Sequence, residues 1–272
     1  LFINTPDINL FSKFIYNYQS MKKKNKKVNA AILIIGNEIL SGRTQDKNVA
    51  FISNWLNEKC GISVKEVRII PDLEKTIINN VLGLSKKFNY VFTTGGIGPT
   101  HDDITAQSIS KAFNVKYEYH KEAFKILENY YGKSKFNDGR KKMAKMPRGS
   151  KLIYNPSSAA PGFIFKNVLS LPGVPSILTS MIENCKMYLI KGLKVYSKTL
   201  NLYTVESNIS QKLSLIQKKF KKSVDIGSYP FFRLGKIGVS IVTRSTSTIK
   251  LKRVNKDLIE LAKDKKIKIL KI

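Results

Sequence analysis

The sequence has 272 residues, 42% of them hydrophobic, so it can bury a sizeable core and wholesale disorder is excluded. It has 48 lysines and arginines against 19 acids, a formal net charge of +29. Its two cysteines, Cys60 and Cys185, are too few for a disulfide scaffold or a multi-cysteine zinc site. No apolar run approaches the roughly 18 residues that span a bilayer. We therefore expect a cytoplasmic protein with no membrane partner.

Lysine carries most of the positive charge, and only seven residues are arginine. Arginine is the residue whose planar fork binds phosphates and base edges through two hydrogen bonds at once, so nucleic acid is not the partner we expect. Asparagine and isoleucine are also frequent. Lysine, asparagine and isoleucine are together the residues that an AT-rich coding sequence tends to encode. We interpret the charge as a solvated surface that attracts anions in general, phosphorylated small molecules included.

The amino-terminal segment, residues 1–27, shows no clear hydrophobic period. It starts with Leu1, and a run rich in lysine follows Met21. We expect residues 1–27 to be a disordered basic extension and the folded part to begin near Val28.

Strands and helices alternate between residues 28 and 180. A continuous apolar run at 32–35 predicts a strand buried on both faces of a sheet. Further strands are predicted at 64–70 and 90–94, with helices at 48–60, directly after Asp72 and from about Asp103. The alternation predicts an α/β fold of three layers, in which a mostly parallel sheet carries helices on both faces.

A second region, residues 181–272, has a different order of elements. A predicted helix at 176–189 leads into it. A strand follows at 198–205, then a helix at 208–220, strands near 224–227 and at 237–243, and a helix at 255–263. This βαββα order predicts a small α+β module of ferredoxin-like or KH-like type with an antiparallel sheet.

The most informative motif is TTGGIGPTHDDIT at residues 93–105, between an apolar strand and a helix. Its glycines Gly95, Gly96 and Gly98 allow a tight turn and a close approach to a ligand. Thr100 adds a hydroxyl, and the start of a helix offers free N–H groups to an anion. The alternative is a plain strand-to-helix turn capped by Asp102 or Asp103.

Carboxylates beside a phosphate site have a use if a cation bridges the two. Asp103 is the first metal candidate and Asp102 lies beside it. Asp72 follows another strand and reaches the same edge of the sheet, or else caps the next helix. The expected cofactor is a divalent metal, Mg²⁺, Mn²⁺ or Co²⁺, and the candidate catalytic residues are Asp72, Asp102 and Asp103.

Three further loops contribute candidates for binding a phosphate or nucleotide. The segment after the first strand offers side chains that can bind a ligand or cap the next helix, and two rigid loops rich in proline and glycine leave room for a flat ring. The candidates are Glu38, Ser41, Asp46, Asn48, Ser158, Pro172 and Gly173.

The motifs GNEILSG, IIPD, TTGGIGPTHDDIT, SAAPGF and LPGVP occur in this order, with Asp46 and Asn48 after the first. Together they resemble the molybdopterin-binding (MoaB/Mog-like) domain over residues 28–180. The GPTHDD form is most similar to the CinA (competence/damage-inducible protein A) branch, which includes part of eukaryotic FAD synthase. Residues 225–231 resemble the second module of that branch. We expect no carboxy-terminal amidohydrolase domain.

The resemblance implies a phosphate site at Gly95, Gly96, Gly98 and Thr100 and acidic positions at Asp72 and Asp103. It implies a metal-dependent nucleotide pyrophosphatase acting on a dinucleotide such as ADP-ribose or FAD, and a homo-oligomer, dimer or trimer. The alternative is a protein of molybdenum-cofactor biosynthesis, adenylyltransferase-like, that binds molybdopterin or a nucleotide without hydrolysis. The family's acidic pair reads Asp72-Leu73 here, one carboxylate fewer.

Overall fold

A computed structural model describes residues 27–233 and 235–270. The predicted basic extension lies outside the described residues, apart from Lys27. The chain divides into two units, one ending at Leu193 and one beginning at Lys194. The division falls after Leu193, beyond the predicted boundary at residue 180, because Met181, Ile182 and Cys185 are buried in the core of the first unit.

The first unit is built on a six-stranded sheet with the order β2-β1-β3-β8-β7-β6. Strands β1, β2, β3 and β8 are parallel, and β7 and β6 continue the sheet in antiparallel pairs. A separate two-stranded sheet pairs β4 with β5. The strands are β1 (Val28–Ile35), β2 (Ile62–Ile70), β3 (Tyr90–Thr94), β4 (Tyr117–Tyr119), β5 (Lys145–Pro147), β6 (Lys151–Ile153), β7 (Gly162–Phe165) and β8 (Val168–Leu171).

Helices cover both faces of this sheet, which confirms the predicted three-layer α/β class. Strand β1 shows why, because its alternate residues enter two different cores: Leu33 packs with Ile77 and Ile109 on one face, and Ile32 packs with Ile52 and Leu178 on the other. The helices are α1 (Asn37–Leu40), α2 (Asn48–Trp55), α3 (Glu74–Lys87), α4 (Thr105–Ala112), α5 (Lys121–Tyr131), α6 (Asp138–Lys142) and α7 (Pro175–Met181).

The predicted helices of the first unit are present, but their caps and helix types differ from the expectation. The helix predicted to start near Asp103 begins at Thr105 without a side-chain cap, so neither Asp102 nor Asp103 serves as its N-cap. The helix after Asp72 also lacks a side-chain cap. The segment predicted as one helix at 176–189 changes into a 3-10 helix over Ile182–Tyr188. The helix at 48–60 is α-helical to Trp55 and continues as a π-turn over Leu56–Cys60.

The parallel strands end in one row, and this places the candidate site. Ile35 pairs with Ile70, and Thr94 pairs with Ile34 and with Leu171. The chain therefore leaves four neighbouring strands at the same edge of the sheet. Ligands of open α/β sheets bind outside the carboxyl ends of the strands.

The second unit confirms the predicted βαββα module. Its sheet has the order β10-β11-β9-β12 and is antiparallel, and its core includes Leu202, Val239 and Leu258. The last helix begins at Thr248, before the predicted residue 255, because Ser247 caps it and Leu251 is buried on its first turns. The elements are β9 (Tyr196–Leu202), α8 (Glu206–Lys219), β10 (Asp225–Arg233), β11 (Lys236–Ser245), α9 (Thr248–Asp264) and β12 (Ile269–Leu270).

No helix among the described residues is long and apolar enough to cross a membrane.

The central position of β1 in the sheet can be tested by truncating two paired residues, one on β1 and one on the edge strand β2. Ile32 is fully buried, whereas its partner Val67 on the edge strand is 42% exposed. We expect Ile32→Ala to lower the free energy of unfolding by about 2–5 kcal/mol, because it leaves a cavity between two layers. Val67→Ala should cost less than about 1 kcal/mol. Urea denaturation measures both, and equal losses would contradict this description of the sheet.

Candidate functional site

The turn after β3 exists because Gly95 and Gly96 have no side chains. Their φ angles are +98° and +68°, in the region that favours glycine. A Cβ at Gly95 would lie 2.1 Å from the carbonyl oxygen of Ile35, and one at Gly96 would lie 2.2 Å from Oγ1 of Thr105. The turn is thus packed against the end of β1 and the start of α4, and no other residue fits at either position.

Thr105 fixes the turn from the helix side. Its backbone N–H donates to the carbonyl oxygen of Gly96 at 2.9 Å, and its hydroxyl donates to that of Gly95 at 3.0 Å. The N–H of Gly95 donates to Leu171 of β8 at 3.1 Å. The carbonyl groups of Gly95 and Gly96 and the N–H of Gly95 therefore already have hydrogen-bond partners within the fold.

The next three backbone N–H groups of the turn make no hydrogen bond to the described residues. Within the described part of the chain, the N–H groups of Gly96, Ile97 and Gly98 have no hydrogen-bond acceptor. These residues are half-buried, at the point where the turn opens toward solvent at Thr100. Successive amides held without an acceptor form an anion site. The hydroxyl of Thr94, buried at the end of β3, also lacks a partner there.

Thr100 lies between two carboxylates. Its backbone N–H donates to Oδ2 of Asp103 at 2.8 Å, and its hydroxyl oxygen is 2.5 Å from both Asp102 Oδ1 and Asp103 Oδ2. A hydroxyl has one proton and can donate to only one of them. The carboxylate oxygen that receives no proton still lies 2.5 Å from the hydroxyl oxygen. This contact is unfavourable unless a cation or a second proton neutralises the carboxylate. The hydrogen bond with the Thr100 hydroxyl lowers the pKa of Asp102, with the charges of His101 and Lys142 as smaller causes.

Asp72 joins these acids from the end of β2. Its Oδ2 accepts the backbone N–H of Asn37 at 2.9 Å, which ties β2 to the first turn of α1. Burial raises the pKa of Asp72, and the charges of Glu38, Asp102 and Asp103 raise it further, against the lowering effect of the Asn37 N–H. The acids from three different strand ends therefore share one electrostatic environment, as the sequence analysis predicted for Asp72 and Asp103.

Other candidates have structural contacts. Asp46 accepts the backbone N–H of Val49, in the first turn of α2, at 2.9 Å, and Asn48 donates to the carbonyl oxygen of Gly173 at 2.8 Å. Gly173 follows Pro172 and lies against the glycine turn, since a Cβ there would be 3.5 Å from Cα of Gly95. Asn48 and Gly173 thus hold the LPGVP loop against the turn.

Ser41 and Ser158 also make local bonds. The Ser41 hydroxyl donates to the carbonyl oxygen of Glu38 at 3.3 Å. The Ser158 hydroxyl accepts from the side chain of the buried Asn155 at 2.7 Å, which organises the loop between β6 and β7. The carboxylate of Glu38 lies close to Gly36, where a Cβ would be 2.5 Å from Oε1.

A pocket beside the glycine turn includes residues that the sequence analysis missed. Gly98 and Asp103 line one side of it, and Tyr117, Lys142 and Lys145 line the other. The ammonium group of Lys142 also donates to the carbonyl oxygen of Thr100. No spacing signal distinguishes these lysines from the many others in the sequence, because α6 and β5 bring them to the turn from far along the chain.

Tyr117 brings a proton donor to this pocket. Burial raises its pKa to about 12, with Tyr119 and Asp103 as smaller causes, so the phenol stays protonated at neutral pH. Pro161 and Phe163 of the SAAPGF loop form an apolar wall. The pocket thus combines a carboxylate, two ammonium groups, a phenol and a flat apolar wall.

The acids alone do not complete a metal site. No group of three or more His, Cys, Asp or Glu side chains among residues 27–233 and 235–270 is placed to hold a metal ion. The donor set around Thr100 still suits a hard divalent cation, because it consists of oxygens and includes two adjacent carboxylates. Mg²⁺ typically binds through one or two carboxylates, substrate phosphates and water.

Comparison with known proteins gives the family. Residues 31–192 match the family described as "Probable molybdopterin binding domain". The chain belongs to this family. Residues 194–271 match the family described as "FAD synthase, middle domain", and the two matches meet where the structure divides the chain.

Individual relatives agree with the CinA resemblance. A protein of Archaeoglobus fulgidus is 34% identical and covers 86% of this chain and 98% of its own. A CinA-like protein of Sulfurihydrogenibium sp. is 37% identical over 65% of this chain and 46% of its own length. The crystal structure of CinA from Thermoplasma acidophilum, titled as of unknown function, has 31% identity and a TM-score of 0.56, covering 60% of this chain and 98% of that one. The chain spans about half the length of the CinA-like relatives.

The glycine turn can be tested by stability. We expect Gly95→Ala to lower the free energy of unfolding by more than about 2 kcal/mol, because the methyl group meets the Ile35 carbonyl at a positive φ. Gly83→Ala is the control, since that position in α3 has open space around it, and it should stabilise by about 0.5–1 kcal/mol. Thermal denaturation that ranks the two variants in the opposite order would contradict the packing described.

The convergence of acids predicts a pH dependence. The pKa of Asp72 is raised in the folded state, so its protonated form stabilises the fold at low pH, and this contribution is lost as the pH rises through the folded pKa. Asp72→Asn removes the charge and keeps an oxygen for the Asn37 N–H. In metal-free buffer we expect the variant to melt at a higher temperature than the wild type at neutral pH, with the difference vanishing in acid. A lower melting temperature at neutral pH would count against the shared environment.

Proposed function

We propose that this site binds the pyrophosphate of a dinucleotide such as ADP-ribose or FAD and hydrolyses it with a divalent cation. The observation that carries the proposal is the meeting of the three acceptor-free amides at Gly96–Gly98 with the acids Asp72, Asp102 and Asp103 at one edge of the sheet. The match of residues 194–271 to the FAD synthase middle domain supports this choice of substrate class.

Each group of the site has a task in this proposal. The amides of the turn bind one phosphate, and Lys142 and Lys145 in the adjoining pocket compensate the charge of the second. The Tyr117 phenol, which also lines this pocket, donates a hydrogen bond to the substrate. Positioning and charge compensation are most of what phosphoryl transfer requires.

Asp103, with Asp102 or Asp72, would hold Mg²⁺, Mn²⁺ or Co²⁺, since Mg²⁺ typically binds through only one or two protein carboxylates. Such an ion supplies positive charge to the phosphate oxygens and a position for water. In the reaction one water adds to phosphorus and the bridging P–O bond breaks, which leaves two phosphate monoesters and releases a proton. Thr100 orients Asp102 and Asp103 through its hydroxyl and backbone N–H.

A binding function without hydrolysis is the second candidate. The molybdopterin-binding family description favours it. In that case the turn and pocket hold a pterin or nucleotide, as an adenylyltransferase-like protein of molybdenum-cofactor biosynthesis would. Saturable binding of ligand with no product separates this candidate from the first.

Hydrolysis is tested with purified full chain, ADP-ribose and FAD, and each of the three metals in turn. We expect Asp103→Asn to lower turnover at least about 100-fold, because it removes a charge that acts on the reacting phosphates. Asp138→Asn is the matched control, since that carboxylate is 99% exposed, and it should keep full activity. No turnover with any metal, or full activity in Asp103→Asn, would refute the proposal.

Assembly as a dimer or trimer and a cytoplasmic location remain predictions from the sequence. Light scattering of the purified chain measures the first.

A further inference from the structure

The second unit contains a pocket of its own, of about 440 Å³, between the carboxy-terminal end of α8 and the first half of α9. Its volume lies within the range of small-ligand pockets. Lys250, Arg253 and Lys256 line it from one face of α9, three residues apart, and Lys219 lines it from α8.

The charges in this pocket are not balanced. Asp257 is the only acid among the described residues that line it, and its Oδ2 is 2.7 Å from the ammonium nitrogen of Lys219. Lys256 is 3.9 Å from Glu260, at the limit of an ion pair. In the part of the chain that the structure describes, Lys250 and Arg253 have no carboxylate partner. Uncompensated cations around one concavity raise the local concentration of anions.

The pocket also has an apolar wall. Phe220 lines it and packs on the small core formed by Val224, Leu251 and Val254. That packing fixes the ring, and the ammonium nitrogen of Lys219 lies 5.6 Å from the ring centroid. The start of α9, which is 17 residues long and capped by Ser247, adds the positive end of its dipole.

We propose that this pocket binds a small phosphate-bearing ligand of nucleotide type, with its phosphates on Lys250 and Arg253 and its ring beside Phe220. A single bounded concavity favours a small ligand over a nucleic-acid strand, which needs a row of cations along several phosphates. The assignment does not depend on the function proposed for the glycine turn, because every residue that carries it belongs to the second unit.

The test is an NMR titration of the full chain with ADP and, separately, with inorganic pyrophosphate, in the presence of a metal chelator. We expect backbone amide shifts at residues 219–223 and 247–257 that saturate, and these are read separately from any shifts at residues 95–105. The double variant Lys250→Gln/Arg253→Gln should weaken this binding at least about tenfold, as expected for the loss of charge-assisted contacts.

The control is Lys252→Gln/Lys263→Gln, which removes the same charge from exposed positions of α9 outside the pocket. It should change the affinity less than about twofold. Equal weakening in both double variants would mean general attraction to a basic surface and would overturn the proposal. So would the absence of shifts at residues 219–223 and 247–257, or tighter binding of a single-stranded oligonucleotide than of ADP.

Discussion

The candidate site depends on one packing constraint: Gly95 and Gly96 are pressed between the end of β1 and Thr105. Because the turn has no side chains at these positions, its carbonyls reach Thr105 and its first amide reaches β8. Those bonds fix the turn and leave the next three amides without acceptors. The binding that we propose for this site therefore depends on how the fold is closed at this edge of the sheet.

The electrostatics of the site follow from the same edge. Parallel strands that end in one row bring the acids of three loops together; burial raises the pKa of Asp72, and the charges of the neighbouring acids raise it further. Lys142, at the end of α6, and Lys145, in β5, line the pocket beside the turn. Acids and ammonium groups therefore adjoin one turn, and basic side chains also line the pocket of the second unit.

Much of this arrangement could be predicted from the sequence. The apolar run of β1, the glycines of the turn and the acids after β2 and β3 are local signals, and their order along the chain predicts both the α/β class and the common edge. The βαββα module is equally visible in the order of its elements. The helix predicted to start near Asp103 begins at Thr105, and the alternative that Asp102 or Asp103 caps it is wrong, because both acids turn toward Thr100.

The rest required coordinates. Asp46 and Asn48 have side chains that suit a ligand as well as a structural contact, and only the bonds to Val49 and Gly173 show that they organise the loops. Lys142, Lys145 and Tyr117 carry no periodic or motif signal. These residues reach the pocket through tertiary packing. A single sequence with many lysines does not show which of them lie there.

The most direct test of the central claim is a crystal structure of the chain with ADP-ribose and Mn²⁺, using the anomalous signal to locate the ion. We predict a phosphate oxygen at hydrogen-bond distance, about 3 Å, from the amides of Gly96 to Gly98, and the ion in contact with the Asp103 carboxylate. A nucleotide bound elsewhere on the first unit, with these amides facing only solvent, would contradict the account.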